Sequence, residues 1–230
     1  MKKNDFLLIL FVLALFCPFI FIQPAYDFYN SFNKEHGMVM SFVKFAILAT
    51  MGEMIALRIR KGIYNEKGFG ILPRAIVWGF LGLTIKAAFS IFSSGTPIFM
   101  EYLGMKDATQ VIKGDFTSEK LLVAFCISTA MNLVYAPVMM TFHKITDTHI
   151  LANGGTIPGF FSSIRFAEIF KGINWDIQWN FVFKKTIPFF WIPAHTITFL
   201  IPAEFQVLFA ALLGIALGLI LAFASLKTVR

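Results

Sequence analysis

Residues 184–230 read KKTIPFFWIPAHTITFLIPAEFQVLFAALLGIALGLILAFASLKTVR. Lys184 and Lys185 open the stretch, and an apolar run broken at Pro193 and His195 follows. Pro202 and Glu204 interrupt it, and a second apolar run leads to Lys227 and Arg230. Two membrane helices joined by a proline turn, with cations at both outer ends, have this pattern. Ile201-Pro202-Ala203-Glu204 sets a residue biased away from helix beside a charge, so Pro202 is expected to mark a tight turn rather than a kink. The apolar part of the first helix, residues 187–201, is short for a full crossing and is expected to tilt or to enter partway.

The composition agrees with lipid as the solvent. The chain of 230 residues is 57% hydrophobic and 14% charged, with mean hydropathy +0.73. A soluble domain averages about 45–50% apolar and about 25% charged. The net charge of +7 forms no basic patch, because the cations sit at the ends of apolar runs. Membrane lipids, and not a nucleic acid, are the partners this distribution implies. Cys17 and Cys126 fall inside apolar runs and imply no disulfide.

Four more apolar runs precede the closing pair: residues 6–22, 38–57, 71–92 and 121–142. The first is read as an uncleaved span, since Pro18 interrupts it and no clean small-x-small cleavage site follows. Residues 1–37 are then an extra N-terminal segment with an outer loop, and 38–230 are the main bundle. Residues 93–119 read as a solvated loop, with SSGTP as a turn signal, and NGGTIPG at 153–159 as a turn-rich linker. Residues 160–171 and 175–183, rich in aromatics and charges, are expected to lie along the membrane surface, as are His143 and His149. With the N-terminus inside, only Lys34, Lys106, Lys113 and Lys120 fall in outer segments, and Lys44 and Lys86 fall within spans; the rest of the twenty Lys and Arg lie inside. The expected fold is therefore an all-α transmembrane bundle of about six spans with both ends inside. A bacterial-type plasma membrane is expected, with an organellar membrane as the alternative.

Within the spans, small and polar residues share helix sides. Gly52, Ala49 and Ala56 lie beside Glu53; Gly79 and Gly82 lie beside Lys86; Ser128 and Ala136 lie beside Asn132. Such sides face other helices. Lys44 lies on the opposite side from Glu53 and is expected to snorkel along lipid. Pro137 is a candidate hinge. Helix rise puts Lys86 about 18 Å past Arg74, Asn132 about 16 Å before His143, His195 about 15 Å past Lys185, and Glu53 about 8 Å from Arg58. Glu53, Lys86, Asn132 and His195 are thus candidates for an intramembrane polar centre, with no direct Glu53–Lys86 pair expected. Hydrogen bonds that merely fix helix packing are the alternative role for them.

In order and spacing, these landmarks resemble the Mpv-seventeen / peroxisomal membrane protein family over residues 38–225. The family's first helix ends in Gly-Asp followed by Gln, and Gly52-Glu53 and Arg58 stand there. Its Phe-x-Gly-Pro segment is matched by Phe80-Leu81-Gly82-Leu83. Its Asp-Gln and Phe-Ala-Pro are matched by Met131-Asn132 and Tyr135-Ala136-Pro137, and its Asn-Trp by Asn174-Trp175. Its closing Trp-Pro-x-x-Gln, Asn-Phe and Val-Pro become Trp191-Ile192-Pro193 with His195, Thr198-Phe199 and Ile201-Pro202; Gln206 stands near a late Arg. Several polar identities differ, so the resemblance implies the fold more firmly than an activity. It implies a channel-like membrane protein passing a small solute, and a cation and an amide at mid-depth favour an anionic or hydrogen-bonding one. A non-transporting component that organises lipids or partner proteins is the alternative. No His-Glu-x-x-His, nucleophile elbow, P-loop or paired-Cys motif is present, so neither catalysis, a metal nor a cofactor is expected.

Overall fold

The computed structural model describes residues 3–228, with side chains described as far as Ile220. Lys2, Arg230 and the side chain of Lys227, which enter the cation pattern, lie outside the described residues. Every described element is helical: α1 Lys3–Phe21, α2 Gln23–Glu35, α3 Gly37–Lys61, α4 Ile71–Tyr102, α5 Ala108–Val111, α6 Ser118–Ala152, α7 Ile157–Phe160, α8 Phe166–Lys171 and α9 Trp175–Ile177. A π-helix, Gln178–Trp191, continues directly from α9 into α10, Ile192–Leu200, and α11 is Ala203–Thr228.

Among the described residues, α1, α3, α4, α6 and α11 are long and apolar enough to cross a membrane. A continuous helical stretch, 175–200, runs from α9 through the π-helix into α10, so Trp175 opens a helix that leads into the short apolar stretch and is not a separate surface segment. The chain stays helical through Pro188 as a π-helix, whose wide turn closes at its end with the Ile192 N–H bonded to the Ile187 carbonyl, five residues earlier. Ile201 is extended, and Pro202 lies between α10 and α11. A second correction concerns residues 93–119. The SSGTP segment is helical, carrying α4 on to Tyr102, and α6 runs well past residue 142 to Ala152.

The helices form a row, α11–α3–α4–α6–α10, which α10 closes by meeting α11 near the Pro202 turn. Glycines set the close approaches. A Cβ at Gly82 would stand 2.7 Å from the Ser41 carbonyl oxygen and 2.8 Å from Phe45 Cβ, and one at Gly79 would enter the Phe42 ring. Gly52 lets the α11 backbone in at Ile215, 3.1 Å from where its Cβ would be. These are the small residues whose shared faces the sequence marks. Phe45, Leu48, Ile85, Phe89, Ile127 and Met131 fill the core between them. α1 leans on that core through Leu8, Val12, Leu15 and Phe16. It is tied at its start by Asp5, which accepts from Arg58 at 2.7 and 2.9 Å and from the Tyr64 hydroxyl at 2.9 Å.

One end of the bundle therefore gathers the start of α1, the end of α3, the start of α4 and the Lys144 end of α6. It is rich in cations, the composition that the positive-inside rule associates with an inner face. The Pro202 turn lies at the opposite end. Ala203→Cys, in a background lacking Cys17 and Cys126, is expected to react with an impermeant thiol reagent from outside, and Lys67→Cys only after permeabilisation. Both positions are exposed. Labelling of position 67 in intact cells would reverse the topology.

Candidate functional site

A cavity of about 610 Å³ enters the bundle from the cation-rich end. That is within the roughly 300–1,000 Å³ of small-molecule pockets. Its walls come from α3, α4, α6, the π-helix with α10, and α11. Arg60, Lys61, Glu66 and Lys144 line its outer part, and the buried Gln178 also lines it. Phe45, Ile85, Phe89 and Met131 line its deep end, with Asn132, Trp191 and His195 as the polar groups there.

The deep polar pair is built from facing helices. Asn132 on α6 is 1% exposed, and its side-chain amide lies 3.0 Å from His195 Nδ1 on α10. The amide also donates to the Ser128 carbonyl at 2.9 Å, and Ser128 Oγ donates to the Ile192 carbonyl at 2.7 Å. The Asn132 amide, Ser128 Oγ and His195 Nδ1 thus all have partners, as burial in an apolar site requires. The Trp191 ring stacks on His195 at 5.1 Å, and Phe89 meets it edge-on at 5.6 Å. Trp191 Nε1 is buried without a hydrogen-bond partner.

A second cluster sits between this pair and the mouth. Arg74 on α4 pairs with Glu53 on α3 and with Asp147 on α6, and donates to the Phe69 carbonyl at 2.7 Å. Glu53 also accepts from Trp78 Nε1 at 2.9 Å and lies 3.1 Å from His143 Nε2. Arg74 is 7% exposed. A buried guanidinium meeting two carboxylates and a carbonyl uses the fork geometry that lysine lacks. The cluster fastens three helices around the cavity wall, and Glu53, Arg74, His143 and Asp147 all face the lumen.

Of the four residues marked in the sequence, Asn132 and His195 touch, Glu53 lines the same cavity nearer the mouth, and Lys86 is elsewhere. α4 turns Ile85 and Phe89 to the cavity, and a one-residue step of about 100° carries Lys86 off that face. Its stem reaches Gly37 at the start of α3, close enough to Lys44 for their charges to repel.

Lys44 corrects an expectation. It is 6% exposed rather than lipid-facing: Nζ donates to Asn33 Oδ1 at 2.6 Å and stands 5.0 Å from the Tyr29 ring centre. Both partners belong to α2, which the sequence reading treats as an outer loop. Asn33 also donates to the Glu204 carbonyl at 3.3 Å, so α2 ties the far ends of α3 and α11 together. Burial raises the Tyr29 phenol above its ordinary range. His143 and His149 are corrected too: His143 turns to Glu53 and meets the Trp78 ring at a tilt of 41°, 4.4 Å between centres. His149 is buried against the Phe160 carbonyl at 3.1 Å and Asn153. The sequence reading missed Arg74, Asp147 and Trp78 as site residues. The signal available was an i, i+4 pair on one face of α4, Arg74 and Trp78, with a carboxylate on the neighbouring helix to receive it.

Among the described residues, no group of three or more His, Cys, Asp or Glu is placed to hold a metal ion. Comparison of the chain with protein families, with curated proteins and with solved structures found no match.

Proposed function

We propose that the protein passes a small solute across its membrane by way of this cavity, as a remote member of the Mpv-seventeen / peroxisomal membrane protein family. One observation carries the reading. Residues at the family landmarks, far apart in sequence, converge on a single lumen: Gly52, Glu53, Asn132, Ala136, Trp191 and His195 all line it. Packing alone explains hydrogen bonds between helices, but it gives no reason for a drug-sized space at their meeting point. The solute meets hydrogen-bonding groups at depth and cations at the mouth, an order suited to an anion-bearing species. The α2 contacts at the far end supply the seal that a gated passage needs, so passage requires α2 and α11 to part. No catalytic role is assigned to any residue.

Flux into liposomes containing the purified protein tests this. Asn132→Leu removes the amide that holds His195 and is expected to cut flux at least tenfold in a folded protein. Lys86→Met removes a charge outside the lumen and is expected to leave flux within about twofold while raising thermal stability, because a charge no longer has to be held in lipid. Unchanged flux in folded Asn132→Leu would end the reading.

A further inference from the structure

The helical stretch 175–200 brings to the lumen hydrogen-bonding groups that the bundle itself does not use. His195 lines the deep end, and Asn132 fixes its ring. The Asn132 amide gives one N–H to the Ser128 carbonyl at 2.9 Å and the other to His195 Nδ1 at 3.0 Å. The reverse contact, from Nδ1 to Asn132 Oδ1, is longer at 3.2 Å. Nδ1 therefore accepts, and in a neutral imidazole the proton then sits on Nε2. His195 is 9% exposed, and among the described residues its ring bonds only through Nδ1, so the Nε2 proton has no acceptor. Trp191, whose ring stacks on His195 at 5.1 Å, carries a second N–H that is buried without a partner. Toward the start of the same stretch, Gln178 lines the lumen at 6% exposure, and its side-chain amide has no partner among the described residues.

The charges of the lumen lie elsewhere. Among the described residues, every charged side chain that lines it sits toward the cation-rich end. Arg74 is about 16 Å along α4 from Ile85, and His143 is about 16 Å along α6 from Asn132. Arg74 is moreover held by Glu53 and Asp147. Around His195 the walls are Phe45, Ile85, Phe89 and Met131. A carboxylate brought there would exchange its water for neutral N–H groups in an apolar setting, which does not offset the desolvation of a full charge. A ketone or amide oxygen loses far less on leaving water, and it supplies the acceptor that the buried donor lacks.

From the unpartnered donors on one wall and the lack of a lumen-lining charge at their level, we infer that the deep end is a subsite for an uncharged carbonyl oxygen, that of a ketone or an amide, on a small solute. His195 Nε2 donates to this oxygen, and the Trp191 and Phe89 rings that flank His195 pack against the carbons beside it. Where the solute also bears a carboxylate, that end stays in the outer, charged part of the lumen. The inference names the substrate class of the proposed transport and rests on that reading.

Two water-soluble probes test it, 4-oxopentanoate and pentanoate, anions of equal chain length that differ in one ketone oxygen. The full chain is placed in nanodiscs with its four histidines labelled with nitrogen-15, and the His195 signals are assigned by their loss in His195→Phe or His195→Gln. The nitrogen shifts are expected to put the proton on Nε2. 4-oxopentanoate is expected to move the Nε2 signal saturably and to bind at least tenfold more tightly than pentanoate. His195→Phe, which keeps a ring and removes the donor, is expected to bring the two affinities within about twofold. Should neither His195 variant fold, the affinity ratio in the parent protein decides alone. Equal affinities in the parent, no binding of either probe, a proton on Nδ1, or a Nε2 signal that the ketone leaves in place would each overturn the inference. Flux that depends on Asn132 but passes both probes equally would overturn it and leave the proposed transport standing. Preferential binding of the ketone without flux would keep the subsite and remove the transport.

Discussion

Arg74→Met is expected to be the most damaging single substitution in the chain. It strands Glu53 and Asp147 in the bundle without their shared cation, and it leaves the Phe69 carbonyl without its donor. Removing one partner of a buried ion pair costs about 3–5 kcal/mol, and here one removal takes the cation from two carboxylates. His143 and Trp78 still reach Glu53, so the larger share of the loss falls on Asp147. Arg74→Lys restores the charge but not the fork, and is expected to recover less than half of the lost stability. The triple variant Arg74→Met, Glu53→Gln, Asp147→Asn removes the charges together and is expected to be more stable than Arg74→Met alone. Thermal unfolding in detergent measures all three. A single variant as stable as the parent would mean that the cluster does not hold α3, α4 and α6 together.

Gly82→Leu is expected to come next. The approach of α3 to α4 at this point is backbone against backbone, with the Ser41 carbonyl oxygen 2.7 Å from the place a Cβ would take. A carbonyl in a helix cannot swing aside as a side chain can, so the helices must separate. Overpacking of a close-packed interior costs about 1–3 kcal/mol, and a full Leu at a backbone contact is expected to cost about 3 kcal/mol. Gly82→Ala is expected to cost less but to remain measurable. Gly95→Leu, where a Cβ meets nothing within 4 Å, is the matched control and is expected to be neutral. Equal melting temperatures for the two Leu variants would contradict the packing described.

The helical class, the long apolar helices and the packing faces around Gly52, Gly79 and Gly82 are legible in the sequence, because lipid imposes long apolar helices and close helix approach demands small residues. Asn132 and His195 are legible as a shared level, since helix rise fixes depth. Rotation is harder. Lys86 and its neighbours Ile85 and Phe89 differ by a step or a turn, and only the position of α3 decides which of them faces the lumen. Lys44 looks lipid-facing from its own helix alone. Its partners Tyr29 and Asn33 come from α2, whose polar composition gives no membrane signal but which folds across the far end of the bundle. Arg74 and Asp147 are far apart in sequence and each sits near a span end, where cations and anions usually meet water. Their burial follows from the convergence of α4 and α6, which no local pattern carries. The helix through Pro188 is hidden for a similar reason: a proline and two lysines look like a boundary, and the wide turn that accommodates them is a tertiary outcome.

Gly52, Glu53, Asn132, Ala136, Trp191 and His195 line one lumen, and the proposed passage of solute runs through it from the cation-rich end. Ala136 is 4% exposed to the surface yet faces that lumen. In a chain lacking Cys17 and Cys126, Ala136→Cys reconstituted in oriented liposomes is to be treated with a charged, impermeant thiol reagent from each side in turn, with flux as the readout. Reagent applied at the cation-rich face is expected to modify the cysteine and to cut flux at least tenfold, and reagent at the opposite face to do neither. Modification from the opposite face alone, or complete modification with flux unchanged, would contradict the account.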